Sequence, residues 1–424
     1  MTRQEPGTKR KSAGKPGAAH TFWMAVHRYS GLAILVFLAF AALTGSLLCF
    51  MKPLDEALNA DLFAQEAAVS PPPVTQVVEG FARRNPDYVV ASFPLAIADD
   101  ARIPVKISPR PAADGTGEIN QVFIDRTSGE IAGARSYDAA FDRHGFAELL
   151  HDVHYTLLLD APGRWFMGVV AIAWTISNLV GAYLTFPLRG AFWKQWKRSW
   201  KFSFRSPFPR QMLDLHRAAG LWLLIPFMLL AVTSVGFNFF NEAYGPMVEV
   251  LVPEKHAPLP AVDTEGPLTF TSAVGEARAL GQDFEEGWQP ASVIYNAKEN
   301  RIGVTLSDDG RLSYHDLGPI YFYFDAASGR VAEVFDPYHG NTNLAMYRWL
   351  YPVHSGKIFG LPTIALVFLC GIAVFAMCVT GIYLWWKKRP SRKRQARRNP
   401  PSGTRTSHDL EPAAASALAA RTPE

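Results

Sequence analysis

Cysteine is scarce in this chain. Only Cys49, Cys370 and Cys378 occur among 424 residues, each in or beside a long apolar run. No disulfide framework can be built from them. Apolar packing accounts for Cys370 and Cys378 better than a thiol metal site does. Charge is missing too, but locally: the runs over 31–50, 166–186, 220–240 and 361–386 contain no Asp, Glu, Lys or Arg. Each is long enough to cross a hydrocarbon core of about 30 Å as a helix. With four such runs and no acid inside them, transport through the bundle is disfavoured. No small-x-small cleavage site precedes Lys52, so a retained anchor is expected rather than a signal peptide. No Gly-rich dinucleotide fingerprint follows a strand, which argues against a fused flavin or nicotinamide domain.

Cations, by contrast, gather in three segments. Arg3, Lys9, Arg10, Lys11 and Lys15 precede the first run. Arg189, Lys194, Lys197, Arg198, Lys201, Arg205 and Arg210 follow the second, and eight Lys and Arg between Lys387 and Arg398 follow the fourth. Their juxtamembrane position favours a topological role over nucleic-acid binding. These segments are expected in the cytoplasm of a bacterium, with two large loops in the periplasm. Trp193, Trp196, Trp200, Trp385 and Trp386 read as an interfacial belt.

One unit is written twice. HRYSGL from His27 recurs as HRAAGL from His216, and in each a Thr follows seventeen positions later, Thr44 and Thr233. GAYL from Gly181 recurs as GIYL from Gly381, each preceded twenty-seven positions earlier by a His, His154 and His354. The loops repeat as well, with Asp125, Ser128 and Gly129 returning as Asp325, Ser328 and Gly329. The spacing predicts an integral membrane α-helical protein of four transmembrane helices in a parallel tandem repeat, with two periplasmic α+β modules. Its expected segments are a disordered basic tail (1–19), spans at 20–51, 166–187, 214–241 and 361–387, modules with their pre-span segments at 52–165 and 242–360, a basic loop (188–213) and a disordered tail (388–424). Helices are expected at 74–84 and 272–280. Strands are expected at 88–92, 103–107, 121–125 and 130–134, and again at 291–296, 301–306, 320–325 and 330–335. Pro226 is expected to kink the third span, and Asn178 and Asn238 to bond between helices.

A two-fold axis along the membrane normal sets repeat-equivalent residues face to face. His27 then meets His216 near the cytoplasmic surface, and His154 meets His354 near the periplasmic one. A His at a span terminus is more often an interfacial residue, but four at equivalent positions point to metal. Zinc wants third and fourth ligands, whereas haem iron takes axial imidazoles from opposite sides within an apolar cleft. The expected cofactors are two bis-His haem b groups. Arg28 and Arg217 beside the inner pair, and Arg164 and Lys357 near the outer, are candidates for the haem carboxylates, with membrane anchoring as an equal alternative. His151, one turn before His154, is a competing outer ligand without a repeat partner, since Tyr351 takes its place.

LYPVHSGKIFGLP with the span ending VTGIYLWWKKR (350–389), HRYSGLAILVFLAFAALTGSLL from His27, DLHRAAGLW from Asp214 and LLHDVHYTLLLDAPGRW (149–165) resemble the PepSY-associated transmembrane family. Thr233-Ser234 stands where that family usually has Thr-Gly. The resemblance covers about residues 20–390 and implies an inner-membrane protein with PepSY-like modules. Some members are haem-containing ferric-siderophore reductases, in which case His27, His154, His216 and His354 are the ligating positions. The expected function is therefore a transmembrane haem oxidoreductase passing electrons from a separate cytoplasmic or membrane donor to a periplasmic ferric chelate, with the lipid bilayer and no nucleic acid as its other partner. The rival expectation is a haem-free scaffold whose modules bind or regulate a periplasmic partner.

Overall fold

The computed structural model describes residues 17–67, 70–109, 120–253, 259–262, 266–284, 287–312 and 315–398. Most of both tails, expected to be disordered, lies outside them. The chain begins with helix α1 (Ala18–Leu48) and the short helices α2 (Met51–Leu58) and α3 (Ala60–Phe63). A first module follows: α4 (Val74–Arg84) and strands β1 (Tyr88–Pro94), β2 (Ile103–Pro109), β3 (Gln121–Ile124) and β4 (Ile131–Arg135). Then come α5 (Phe146–Thr156), α6 (Asp160–Leu184), α7 (Phe192–Trp196), α8 (Phe208–Trp222), α9 (Leu224–Asn238), a π-turn (Phe240–Tyr244) and α10 (Gly245–Leu251). The second module has α11 (Phe270–Phe284) and strands β5 (Gln289–Asn296), β6 (Arg301–Ser307), β7 (Ile320–Asp325) and β8 (Val331–Phe335). After it stand α12 (Thr342–Arg348), α13 (Leu350–Ser355) and α14 (Leu361–Arg398). Both helices and all eight strands expected in the modules are present, with ends moved by a few residues.

The two modules are not separate bodies. Their strands form one antiparallel sheet in the order β4-β3-β2-β1-β5-β6-β7-β8. At the junction Phe93 opposes Val293, flanked by Ser92 against Ile294 and Pro94 against Ser292. Phe93 and Val293 are 200 residues apart, so each module presents the same strand to the other. An unpaired edge strand in each half is thereby removed. Helices α4 and α11 cover one face, and a single apolar core runs from Val78 and Phe81 through Phe93 and Val293 to Phe322 and Phe324. Thr271 Oγ1 donates to Thr75 Oγ1 at 2.9 Å across the two helices. On the other face Arg135 is buried, bidentate to Asp55 of α2 at 2.8 and 2.7 Å, and stacked over the Tyr137 ring at 4.4 Å.

Helices α1, α6 and α14 (over Leu361–Lys388) are long and apolar enough to cross a membrane. Helices α8 and α9 pass the same test together, bent by 70°. The third span, expected over 220–240 with a kink at Pro226, is thus two helices that meet at a sharp break. Pro226 is the third residue of α9; it has no N–H to give the Trp222 carbonyl and its ring crowds that oxygen, so the helix breaks there and restarts. Helix α1 packs on α6 and α14, α6 on α9, and α14 on α8. Phe227, Cys370, Val374 and Cys378 are buried at the centre with Leu35, Leu38 and Trp174 around them. Val36, Phe40, Val169, Leu179 and Leu369 point outward, the apolar exterior of a membrane-embedded bundle. Helices α1 and α14 approach closely at Gly371, where a Cβ would lie 2.6 Å from the Ala42 carbonyl oxygen, as small residues allow in membrane helix pairs.

Candidate functional site

Four imidazoles from four helices form two facing pairs. His27 of α1 and His216 of α8 have ring centroids 6.3 Å apart, with planes at 72°. His154 of α5 and His354 of α13 have centroids 6.2 Å apart, at 60°. The outer pair depends on how α5 and α13 end. Leu157 caps α5 at φ 55°, and Gly356 caps α13 at φ 76°, so each chain reverses before its span and turns its imidazole onto the bundle. A side chain at 356 would meet the Thr363 carbonyl oxygen at 2.5 Å, which leaves glycine as the fitting residue.

Each imidazole hangs by Nδ1. His154 Nδ1 lies 3.0 Å from Thr44 Oγ1, His354 Nδ1 2.9 Å from Thr233 Oγ1, and His216 Nδ1 3.1 Å from Thr380 Oγ1. The proton positions follow from where these hydroxyls donate. Thr44 donates to Phe40 O at 2.8 Å, Thr233 to Leu229 O at 2.7 Å, and Thr380 to Met377 O at 3.0 Å. Their oxygens are therefore left to accept from Nδ1–H. His27 Nδ1 meets the Ser177 hydroxyl at 3.0 Å and the Ser177 carbonyl, which can only accept, at 3.1 Å. All four rings are assigned the Nδ1–H tautomer by this network, and Nε2 keeps the lone pair. A protonated, tethered Nδ1 with Nε2 available is the usual arrangement of a metal-bound histidine.

Glycines let the rings in. A Cβ at Gly45 would lie 2.8 Å from His154 Cε1, and one at Gly181 would lie 3.1 Å from His27 Cε1. In the second half Ser234 stands in place of Gly45, its hydroxyl donating to Leu230 O at 2.7 Å.

The ring centroids of each pair lie just over 6 Å apart, a separation that lets two imidazoles share one metal ion. Among the described residues, the groups of three or more that could hold a metal are Glu148, His151 and Asp152, and Asp308, Asp309 and His315. Neither includes a paired histidine. Among the described residues each pair thus offers two imidazole nitrogens and no third His, Cys, Asp or Glu ligand, a donor set that would suit a haem iron rather than tetrahedral zinc. The inner pair opens on a cavity of ≈ 340 Å³ walled by apolar side chains such as Leu35, Trp174 and Met377.

The remaining candidates divide. Arg28 and Arg217 line the inner cavity, Arg217 also donating to Asp214 at 2.9 Å. At the outer end Arg164 is bound to the Glu242 carboxylate and the Asn238 carbonyl, and the hydrogen bond from Arg164 holds the Glu242 carboxyl below its ordinary range. Lys357 donates to Tyr351 OH at 2.9 Å. His151 is exposed and sits beside Asp152 at 3.3 Å; His154 and not His151 faces His354. Asn238 bonds within its own helix, donating to Ser234 O at 2.8 Å, in place of the interhelical bond expected of it.

Ser177 and Thr380 were not foreseen as anchors, because they are not repeat equivalents: Thr380 corresponds to Val180, and Ser177 to Met377. Thr44 and Thr233 did carry a signal in their shared spacing from His27 and His216.

A family model for the PepSY-associated TM region matches residues 24–388. No curated protein matches the chain significantly.

Proposed function

The chain belongs to the PepSY-associated transmembrane family, and from that premise we propose that it is a di-haem b inner-membrane reductase for a periplasmic ferric chelate, a ferric siderophore by preference. The observation that carries this reading is the pair of facing histidine sets with free Nε2 atoms, one at each end of the bundle. His27 and His216 would hold the inner group, His154 and His354 the outer. When bound, haem supplies one-electron exchange, chemistry that belongs to the cofactor. The chain supplies position. Thr44, Thr233, Thr380 and Ser177 fix the tautomers and ring orientations, and the apolar helices keep water from the cleft.

Topology supports the same reading. Counting α8 and α9 as one broken span gives four, with the tails and the 188–213 segment cytoplasmic by their cations and the sheet periplasmic. The two halves are then parallel repeats. Thr44 lies seventeen residues beyond His27 on one helix, about 25 Å at 1.5 Å per residue. The two pairs are thus separated by most of a bilayer core. Electrons come from a separate cytoplasmic or membrane donor. Reduction of Fe(III) to the less charged Fe(II) weakens hard oxygen ligands and loosens the chelate.

The test is optical. Protein purified from haem-replete cells is expected to be red, with a Soret band that sharpens and shifts on dithionite. The reduced form is expected to reoxidise on mixing with a ferric siderophore. A colourless preparation contradicts the proposal, and a red one inert to every ferric chelate limits it to haem binding.

A further inference from the structure

Residues 186–213 join α6 to α8 and carry seven Lys and Arg with no Asp or Glu. The chain here folds back on the end of α6. Trp196 Nε1 donates to Thr185 Oγ1 at 3.0 Å, and Ser199 Oγ donates to the Thr185 carbonyl at 3.1 Å. Arg217 ties the segment to α8 by donating to the Arg198 carbonyl at 3.1 Å. Phe186, Phe192, Trp196 and Trp200 form a run of ring contacts with centroids between 5.3 and 5.5 Å apart. These contacts hold a defined surface. On it Trp193, Phe204 and Phe208 are exposed by 67%, 83% and 56%. Arg189, Lys194, Lys197, Arg198, Lys201 and Arg205 are exposed as well. Among the described residues the only ion pair of this segment is Arg210 with Asp214 at 3.0 Å.

Setting the topology asks only for cations near the end of a span. It does not ask for a folded surface on which large rings stand exposed among cations that lack counter-ions. An occupant that suits both features has an anionic head and an apolar body. Two kinds of partner match the charge, a soluble acidic protein and an anionic lipid, and position decides between them. Helix α6, long and apolar enough to cross a membrane, ends at Leu184, so the segment begins at the edge of the apolar phase. There exposed Trp and Phe side chains can enter the glycerol and upper acyl region while Lys and Arg meet phosphate. We propose that the 186–208 segment is a binding site for an anionic phospholipid of the adjoining leaflet, with Lys197 and Lys201 at the phosphate and Trp193 and Phe204 in the apolar layer beside it. This site stands whether or not the histidine pairs hold haem.

The experiment compares two lipids that differ only in the headgroup. Full-length protein in detergent micelles is given equal amounts of phosphatidylglycerol and phosphatidylcholine with matched acyl chains, and bound lipid is counted by native mass spectrometry. Phosphatidylglycerol adducts are expected to be about fivefold or more the commoner, the discrimination that one near-surface cation supplies. Lys197→Gln combined with Lys201→Gln is expected to bring the two lipids close to parity. Arg278→Gln combined with Lys298→Gln removes the same charge from exposed positions on the second module and is expected to leave the preference unchanged. Equal binding of the two lipids by the wild type overturns the inference and leaves the surface to an acidic soluble partner. A preference lost equally in both double variants overturns it as an effect of net charge, and one kept in both places the lipid elsewhere. The wild-type comparison alters no residue, so it does not depend on any variant folding.

Discussion

His154 and His354 stand 200 residues apart in the chain, yet their ring centroids are 6.2 Å apart and each ring hangs from a threonine of the helix beside it, Thr44 and Thr233. The hydroxyls are positioned as acceptors because their protons are already committed to Phe40 and Leu229 carbonyls. Removing one therefore frees a ring without opening a cavity. Thr44→Val or Thr233→Val is expected to lower haem affinity at the outer site by about 10- to 100-fold and to leave the inner site unchanged. Haem titration of each variant, followed in the Soret band, measures this; equal loss at both sites would point to a general folding defect.

Gly45 makes the same point sterically. Its missing Cβ would fall 2.8 Å from His154 Cε1, and the ring cannot retreat while Nδ1 stays on Thr44. Gly45→Ala is expected to cost the outer haem, whereas Gly275→Ala on α11, with nothing within 4 Å, is expected to be silent. Haem-to-protein ratios of the two variants decide it, and identical behaviour would mean the close approach has no functional weight.

In the sheet, Arg135 and Asp55 form a buried pair with side-chain exposures of 1% and 9%. Loss of one partner strands the other charge in a low-dielectric site. Arg135→Ala is expected to destabilise the protein by about 3–5 kcal/mol, read by thermal unfolding in detergent. The double variant Arg135→Met, Asp55→Leu is expected to recover part of that loss; no recovery would assign the cost to lost packing against Tyr137.

The junction between β1 and β5 makes the two modules one cooperative unit. Phe93 is fully buried and opposes Val293. Phe93→Ala is expected to cost about 3–5 kcal/mol and to raise amide exchange in β6 and β7 as well as in β1 and β2. Exchange confined to the first module would show that the halves unfold independently.

Much of this molecule is legible in its sequence. Uncharged runs gave three of the crossing helices, because a bilayer tolerates little else, and short strand-like runs recurring in both loops marked the strands. The repeat put His27 opposite His216 and His154 opposite His354. What stayed hidden depended on contacts between distant segments. The fusion of two modules through Phe93 and Val293 has no local signature, since either strand alone reads as an ordinary edge. Pro226 announced a kink but not a 70° break. Arg164 looked available until Glu242, 78 residues away, turned out to hold it. Ser177 and Thr380 escaped because the two halves anchor their inner histidines from different helical positions, which a search for equivalent residues passes over.

The most direct measurement is the haem content of single histidine variants, by the pyridine haemochrome method on purified protein. Two haems per chain are expected in the wild type and one in each of His27→Ala, His216→Ala, His154→Ala and His354→Ala, with two still present in His151→Ala. Loss of both haems, or of neither, from the single variants at the four paired positions would contradict the two-pair arrangement.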